Sequence, residues 1–319
     1  MHKSIFLDSL NNTQEVLKSI TLDSIFIGPK LFSTESISSL RGIVKNTHIY
    51  ADMSVFCGED LVKLFPDAVI VEAFGKDLVK DGISFVCPTH SEVKEYFQKR
   101  ITDLLKLDIN GIWLDCARYP TVWDKPNPVI YDACYCKRCI SLFEKHIGEK
   151  IVGTTLEDKF LHIDGSYYIE WLRFKCDQIT SIVELARKTI TNSKKEMKLG
   201  IFVVPWEDNE YSAGIKRILG IDLEQISPLV DIVSPMLYHK MCGKEVGWVK
   251  EKVNYYWNLG KSFLPLIQTE NTPLEIGLGE FKKSLEFAVL KPSFGVCIFY
   301  LDNLIKQKDK LVVAGDFFK

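Results

Sequence analysis

No stretch of this 319-residue chain strings together the ~20 apolar residues that would cross a bilayer. Neither charge sign dominates. Forty Lys and Arg against 42 Asp and Glu leave a net charge of −2, so nothing electrostatic points to nucleic acid or an anionic membrane surface as a partner. The opening Met-His-Lys-Ser-Ile-Phe-Leu-Asp lacks the long apolar core of a signal peptide, and a cytoplasmic location is the expectation. Nine cysteines are too few for a disulfide scaffold at this length, and an odd number leaves one unpaired. Reduced thiols, some of them metal-bound, are expected instead. No linker rich in proline, glycine or serine divides the chain, and no low-complexity tract or short-period repeat is present.

What is present is a 46% hydrophobic, 26% charged globular composition in which apolar, β-branched runs alternate with amphipathic segments. That alternation predicts parallel strands joined by crossover helices, and the length suits one (β/α)8 TIM barrel over residues 1–319. Predicted strands are Ser24–Gly28, His48–Met53, Ile83–Pro88, Gly111–Asp115, Leu199–Val204, Asp231–Leu237, Phe263–Gln268 and Gly295–Leu301. Ile5–Leu7 and Ala68–Val71 compete for a place among them. Helices are predicted over Ser91–Lys106, Tyr168–Thr191, Glu245–Leu259 and Gly279–Leu290. The longest departure from the rhythm, Thr121–Gly165, is an insertion after the fourth strand that carries cysteines.

Candidate chemistry sits where the apolar runs stop. Gly-Ile-Trp-Leu-Asp-Cys-Ala-Arg-Tyr-Pro (111–120) ends in a carboxylate and a guanidinium, and strand parity puts Trp113 and Asp115 on one face. If that face lines the barrel, Asp115 stands at its mouth, and Arg118 beside it would keep it ionised. The fifth strand ends in Trp206, a platform for a sugar ring, with Glu207 and Asp208 as rival second carboxylates. The sixth ends in Tyr238 and His239, groups suited to binding hydroxyls; the seventh in Gln268 and Glu270; the eighth in Asp302. Paired carboxyls fit glycosidic bond cleavage, one protonating the leaving oxygen while the other attacks the sugar or activates water. Asp115 with Glu270 or Asp208 is the expected catalytic pair. Arg118, Trp206, Glu207, Tyr238, His239, Gln268 and Asp302 are the expected carbohydrate contacts. Without a second acid the chain would be a carbohydrate-binding barrel.

Cys134-Tyr-Cys136-Lys-Arg-Cys139 packs three thiols into six residues at the entry to a helix, a pattern suited to zinc. Cys87 and Cys116 are the candidates for a fourth ligand. Four thiolates would make a closed structural site; three plus water would make a zinc hydrolase such as a deacetylase.

These motifs, together with Ser-Pro-Met-Leu-Tyr-His-Lys-Met-Cys-Gly (234–243), resemble a group of glycoside hydrolase-like TIM-barrel proteins over about residues 83–301. The resemblance implies a sugar-active barrel centred on Asp115, with Arg118, Trp206, Tyr238, His239 and Gln268 nearby. The cysteine run is similar to the zinc-binding loop of family 42 β-galactosidases, where a cysteine from the end of the third strand completes the set, which points to Cys87. The Asn-Glu pair that those enzymes use at the fourth strand end is missing here, so β-galactosidase activity is not implied.

Overall fold

The computed structural model describes residues 1–319 apart from Asn12, Asp81 and Thr272. Eight parallel strands form a (β/α)8 barrel: β1 His2–Leu7, β2 Ser24–Ile27, β3 His48–Ser54, β4 Gly111–Asp115, β5 Lys198–Val203, β6 Ile232–Pro235, β7 Leu266–Gln268 and β8 Gly295–Phe299. β1 pairs with both β2 and β8, and the parallel bridges Val233–Phe263 and Met236–Leu266 join β6 to β7, completing the circuit. Among the described residues no helix is long and apolar enough to cross a membrane.

One strand expectation is corrected. Ile83–Pro88 lies in the long connection after β3, where Val86 N–H donates to Phe56 and Cys87 N–H to Ala68, so its apolar side chains line a loop rather than the barrel. The place in the barrel belongs to His2–Leu7. Its polar inward residues hide it in the sequence; Ser4 Oγ hydrogen-bonds Ser24 Oγ across the lumen face at 2.7 Å. Between β4 and β5 come a short hairpin, Thr121–Val122 with Val129–Ile130, and the helices Lys137–Ile147, Leu156–Ser166 and Tyr168–Asn192.

The lumen is plugged by aromatic rings. Phe26 meets Trp113 edge-on at 5.0 Å, and Tyr50 tilts over the same indole at 4.4 Å. Trp113 is fully buried and its indole N–H donates to Ser234 Oγ at 2.9 Å, satisfying the one polar atom it takes out of water. The indole lies flat against Gly200 on β5, where an added Cβ would come within 2.0 Å of Trp113 Cε2. Gly200→Ala is therefore expected to cost about 3 kcal/mol or more by overpacking, read as a lower denaturant midpoint at an unchanged slope.

Candidate active site and thiol cluster

Asp115 ends β4 at the C-terminal mouth of the barrel, one parity step above Trp113, and is partly exposed. Its Oδ1 accepts the Cys116 N–H at 2.7 Å and its Oδ2 the Cys116 thiol at 3.6 Å. Cys116 holds φ of 50°, a left-handed turn that folds its own N–H back onto the carboxylate. Arg118 is not the expected partner. It is buried with its guanidinium 5.2 Å over the Phe85 ring, donating to the Tyr119 carbonyl at 3.1 Å, and it makes no ion pair with Asp115 among the described residues.

The second inward carboxyl is one that strand-end reasoning missed. Asp52 lies inside β3, in register with Trp113, while Ser54 pairs with Asp115, so the two acids sit on neighbouring strands of the same wall. One Asp52 oxygen, Oδ1, is sealed from water with no hydrogen-bond partner. Burial first, and then the Asp115 charge, push the Asp52 carboxyl well above the usual range, against an opposing pull from Arg100 and with a lesser push from Asp8. It therefore holds its proton more tightly than an ordinary carboxyl does. The signal was available: Asp52 has the parity of Tyr50 in an otherwise apolar run.

Tyr238 closes the same mouth, stacked between Trp123 at 5.5 Å and Phe299 at 5.4 Å. Burial, reinforced by the Asp115 charge, raises its phenol well above its ordinary value, so it stays a proton donor. Asp124 also faces Tyr238, and Glu270, Asp302 and Asp8 face Tyr300 on the opposite rim. The rim carries several carboxylates, and at its edge Lys30 is held by Asp8 at 2.6 Å.

The other expected contacts are engaged by partners within the protein. Trp206 is buried against Tyr211, with ring centroids 4.5 Å apart. Glu207 accepts from the buried Lys252 at 3.0 Å, alongside Glu210 at 2.6 Å, and the exposed Asp208 faces Tyr255. His239 points outward and holds Glu280 at 3.1 Å. Gln268 spends both ends of its amide within the protein, on Met241 N–H and the Glu270 carbonyl. Asp302 accepts from Asp8 N–H and Ser9 Oγ and so latches the β1 loop.

Away from the mouth, Cys87, Cys134, Cys136 and Cys139 are all buried, with their sulfurs within 4.8 Å of one another. Cys87, not Cys116, completes the set. Cys87 Sγ lies 3.8 Å from Cys136 and 3.5 Å from Cys139, close to the ~3.8 Å separation that tetrahedral bonds of about 2.3 Å impose. Cys136 caps the helix Lys137–Ile147, whose N-terminal dipole favours negative charge on the sulfurs. The four residues could thus hold a metal ion, and they come from two different loops.

No protein-family model matches the sequence, and no curated protein matches it. Solved structures do share its fold. The PgaB (BpsB) glycoside hydrolase domain from Bordetella bronchiseptica aligns with a TM-score of 0.76 at 11% identity, over 100% of this chain and 99% of that one. A β-galactosidase from the psychrophilic Marinomonas ef1 aligns at 0.68 and 10% identity, over 98% of this chain and 59% of its own. Ega3 of Aspergillus fumigatus, in complex with galactosamine, aligns at 0.50 and 10% identity, over 95% and 91%. What the chain shares with these structures is the barrel fold.

Proposed function

We propose that the protein is a glycoside hydrolase acting on a soluble oligosaccharide or glycoconjugate, with Asp115 as the carboxylate facing the anomeric carbon and Asp52 as the acid that protonates the leaving oxygen. The observation that carries this reading is the pairing of two inward carboxyls on adjacent strands, Asp115 at the C-terminal mouth and Asp52 level with Trp113 below it, with burial raising Asp52 well above the usual carboxyl range. A pure binding barrel has no use for a second, buried acid. Glu270, at the rim beside Tyr300, is the reserve candidate for the acid. Asp208 and Glu207 recede, since they face Tyr255 and Lys252.

Tyr238 supplies a flat, stacked edge and a hydroxyl donor for the sugar. The acidic rim suits a substrate bearing free amino groups, in keeping with the galactosamine bound by Ega3. The thiol cluster is proposed to hold zinc. Four thiolates fill its coordination, leaving no position for an attacking water, so the metal's task is structural rather than hydrolytic.

The test compares wild type with Asp52→Asn on amino-sugar oligosaccharides, on their N-acetylated forms and on aryl glycosides with activated leaving groups. Wild type is expected to prefer the free amines and to lose activity as pH rises through the elevated Asp52 value. Asp52→Asn should lose oligosaccharide turnover but keep the activated aryl glycosides, which need no protonation. Stability supplies a second readout. A carboxyl whose folded pKa is raised gives its full stabilising contribution below the unfolded pKa and loses it as pH rises through the folded one. Asp52→Asn should therefore melt higher than wild type at neutral pH, with the gap narrowing in acid. Equal loss on both substrate classes would move the acid role to Glu270.

A further inference from the structure

Of the five cysteines outside the metal cluster, Cys176, Cys242 and Cys297 are buried; Cys57 and Cys116 are only partly so. Those two meet at the mouth. Val55 N–H donates to the Asp115 carbonyl at 2.8 Å, so the chain leaving β3 runs beside the turn leaving β4 and brings the Cys57 and Cys116 side chains together. The Ser54 hydroxyl fastens the Cys57 carbonyl at 2.5 Å, which fixes the first side of the pair, and the left-handed Cys116 fixes the second.

We propose that Cys57 and Cys116 form a reversible disulfide, making the rim beside Asp115 a thiol-modification site for small disulfides such as oxidised glutathione. Cys57 attacks one sulfur of the glutathione disulfide and releases one glutathione thiol. Cys116 then gives its proton to Asp115 Oδ2, toward which its thiol already points at 3.6 Å, and displaces the second glutathione from Cys57. Two protein thiols and one glutathione disulfide become one protein disulfide and two glutathione thiols. Contact with Cys116 lowers the Cys57 thiol, with help from Arg118, and contact with Cys57 raises Cys116, which suits them to attack first and to hold a proton, respectively. Once bridged, Cys116 has no S–H left to donate to Asp115. Any fall in turnover on oxidation rests on the catalytic reading above; formation of the disulfide does not.

The test incubates the metal-loaded full-length protein with graded glutathione redox buffers, then maps disulfides by mass spectrometry of alkylated peptides. The expected result is a Cys57–Cys116 cross-link that forms and reverses with the buffer while Cys87, Cys134, Cys136 and Cys139 stay unmodified. Cys116→Ser should accumulate a stable glutathione adduct on Cys57, and Cys57→Ser should leave Cys116 unreacted. Retention of two free thiols across the whole redox range would overturn the proposal, as would pairing of either cysteine with a different partner. Because the readout is covalent, it stands whether or not the glycosidase assay succeeds.

Discussion

Asp115→Asn is expected to lower kcat on the order of 10⁴-fold while leaving the fold in place. Among the described residues its side-chain hydrogen bonds run to the Cys116 N–H and thiol, and an amide oxygen can still accept that N–H, so the melting transition should move by no more than about 1 kcal/mol of stability. In the proposed mechanism, what the amide cannot supply is negative charge toward an oxocarbenium-like centre, a contribution realised only in the transition state. The drop should therefore appear in kcat and kcat/KM together. Steady-state kinetics alongside thermal melts checks both halves; undiminished turnover in a folded variant would remove Asp115 from the centre of the mechanism.

Removing metal is expected to act on stability instead. Stripping the four-cysteine site with a chelator, or breaking it with Cys136→Ser, forfeits binding energy of about 4 kcal/mol if free zinc stands roughly 1,000-fold above its Kd. For a chain of this length that is a fall of about 5 °C in Tm, recovered on returning zinc to the stripped wild type but not to the variant. The damage should be local. Cys87 belongs to the connection after β3 and the other three sulfurs to the segment after β4, so limited proteolysis should open residues 121–165 first. Elemental analysis of protein purified without chelator supplies the stoichiometry.

Much of this was legible in the sequence where local pattern and burial agree. Gly111–Asp115 reads as a strand with Asp115 at its end because every residue before the acid is apolar and buried. Close spacing alone made the cysteine run visible. Ile83–Pro88 misleads because loop residues that wall a buried cluster must be as apolar as strand residues, and periodicity cannot tell the two apart. Strand-end polarity misleads in a different way. Gln268, Asp302 and Glu207 look available for a ligand, yet each is consumed by a partner remote in sequence: Met241, Ser9 and Lys252. Asp52 was hidden because attention to strand ends passes over an acid in mid-strand, where desolvation has its greatest effect. His239 could have been placed correctly, since parity with an inward Tyr238 sends it outward.

The latch from Asp302 to the β1 loop joins residues 294 apart, and β1 finds its second neighbour only in β8. A chain emerging from the ribosome must carry β1 with one edge unpaired until β8 has been made. Closure of the barrel is thus a late, long-range step that waits for nearly the whole chain.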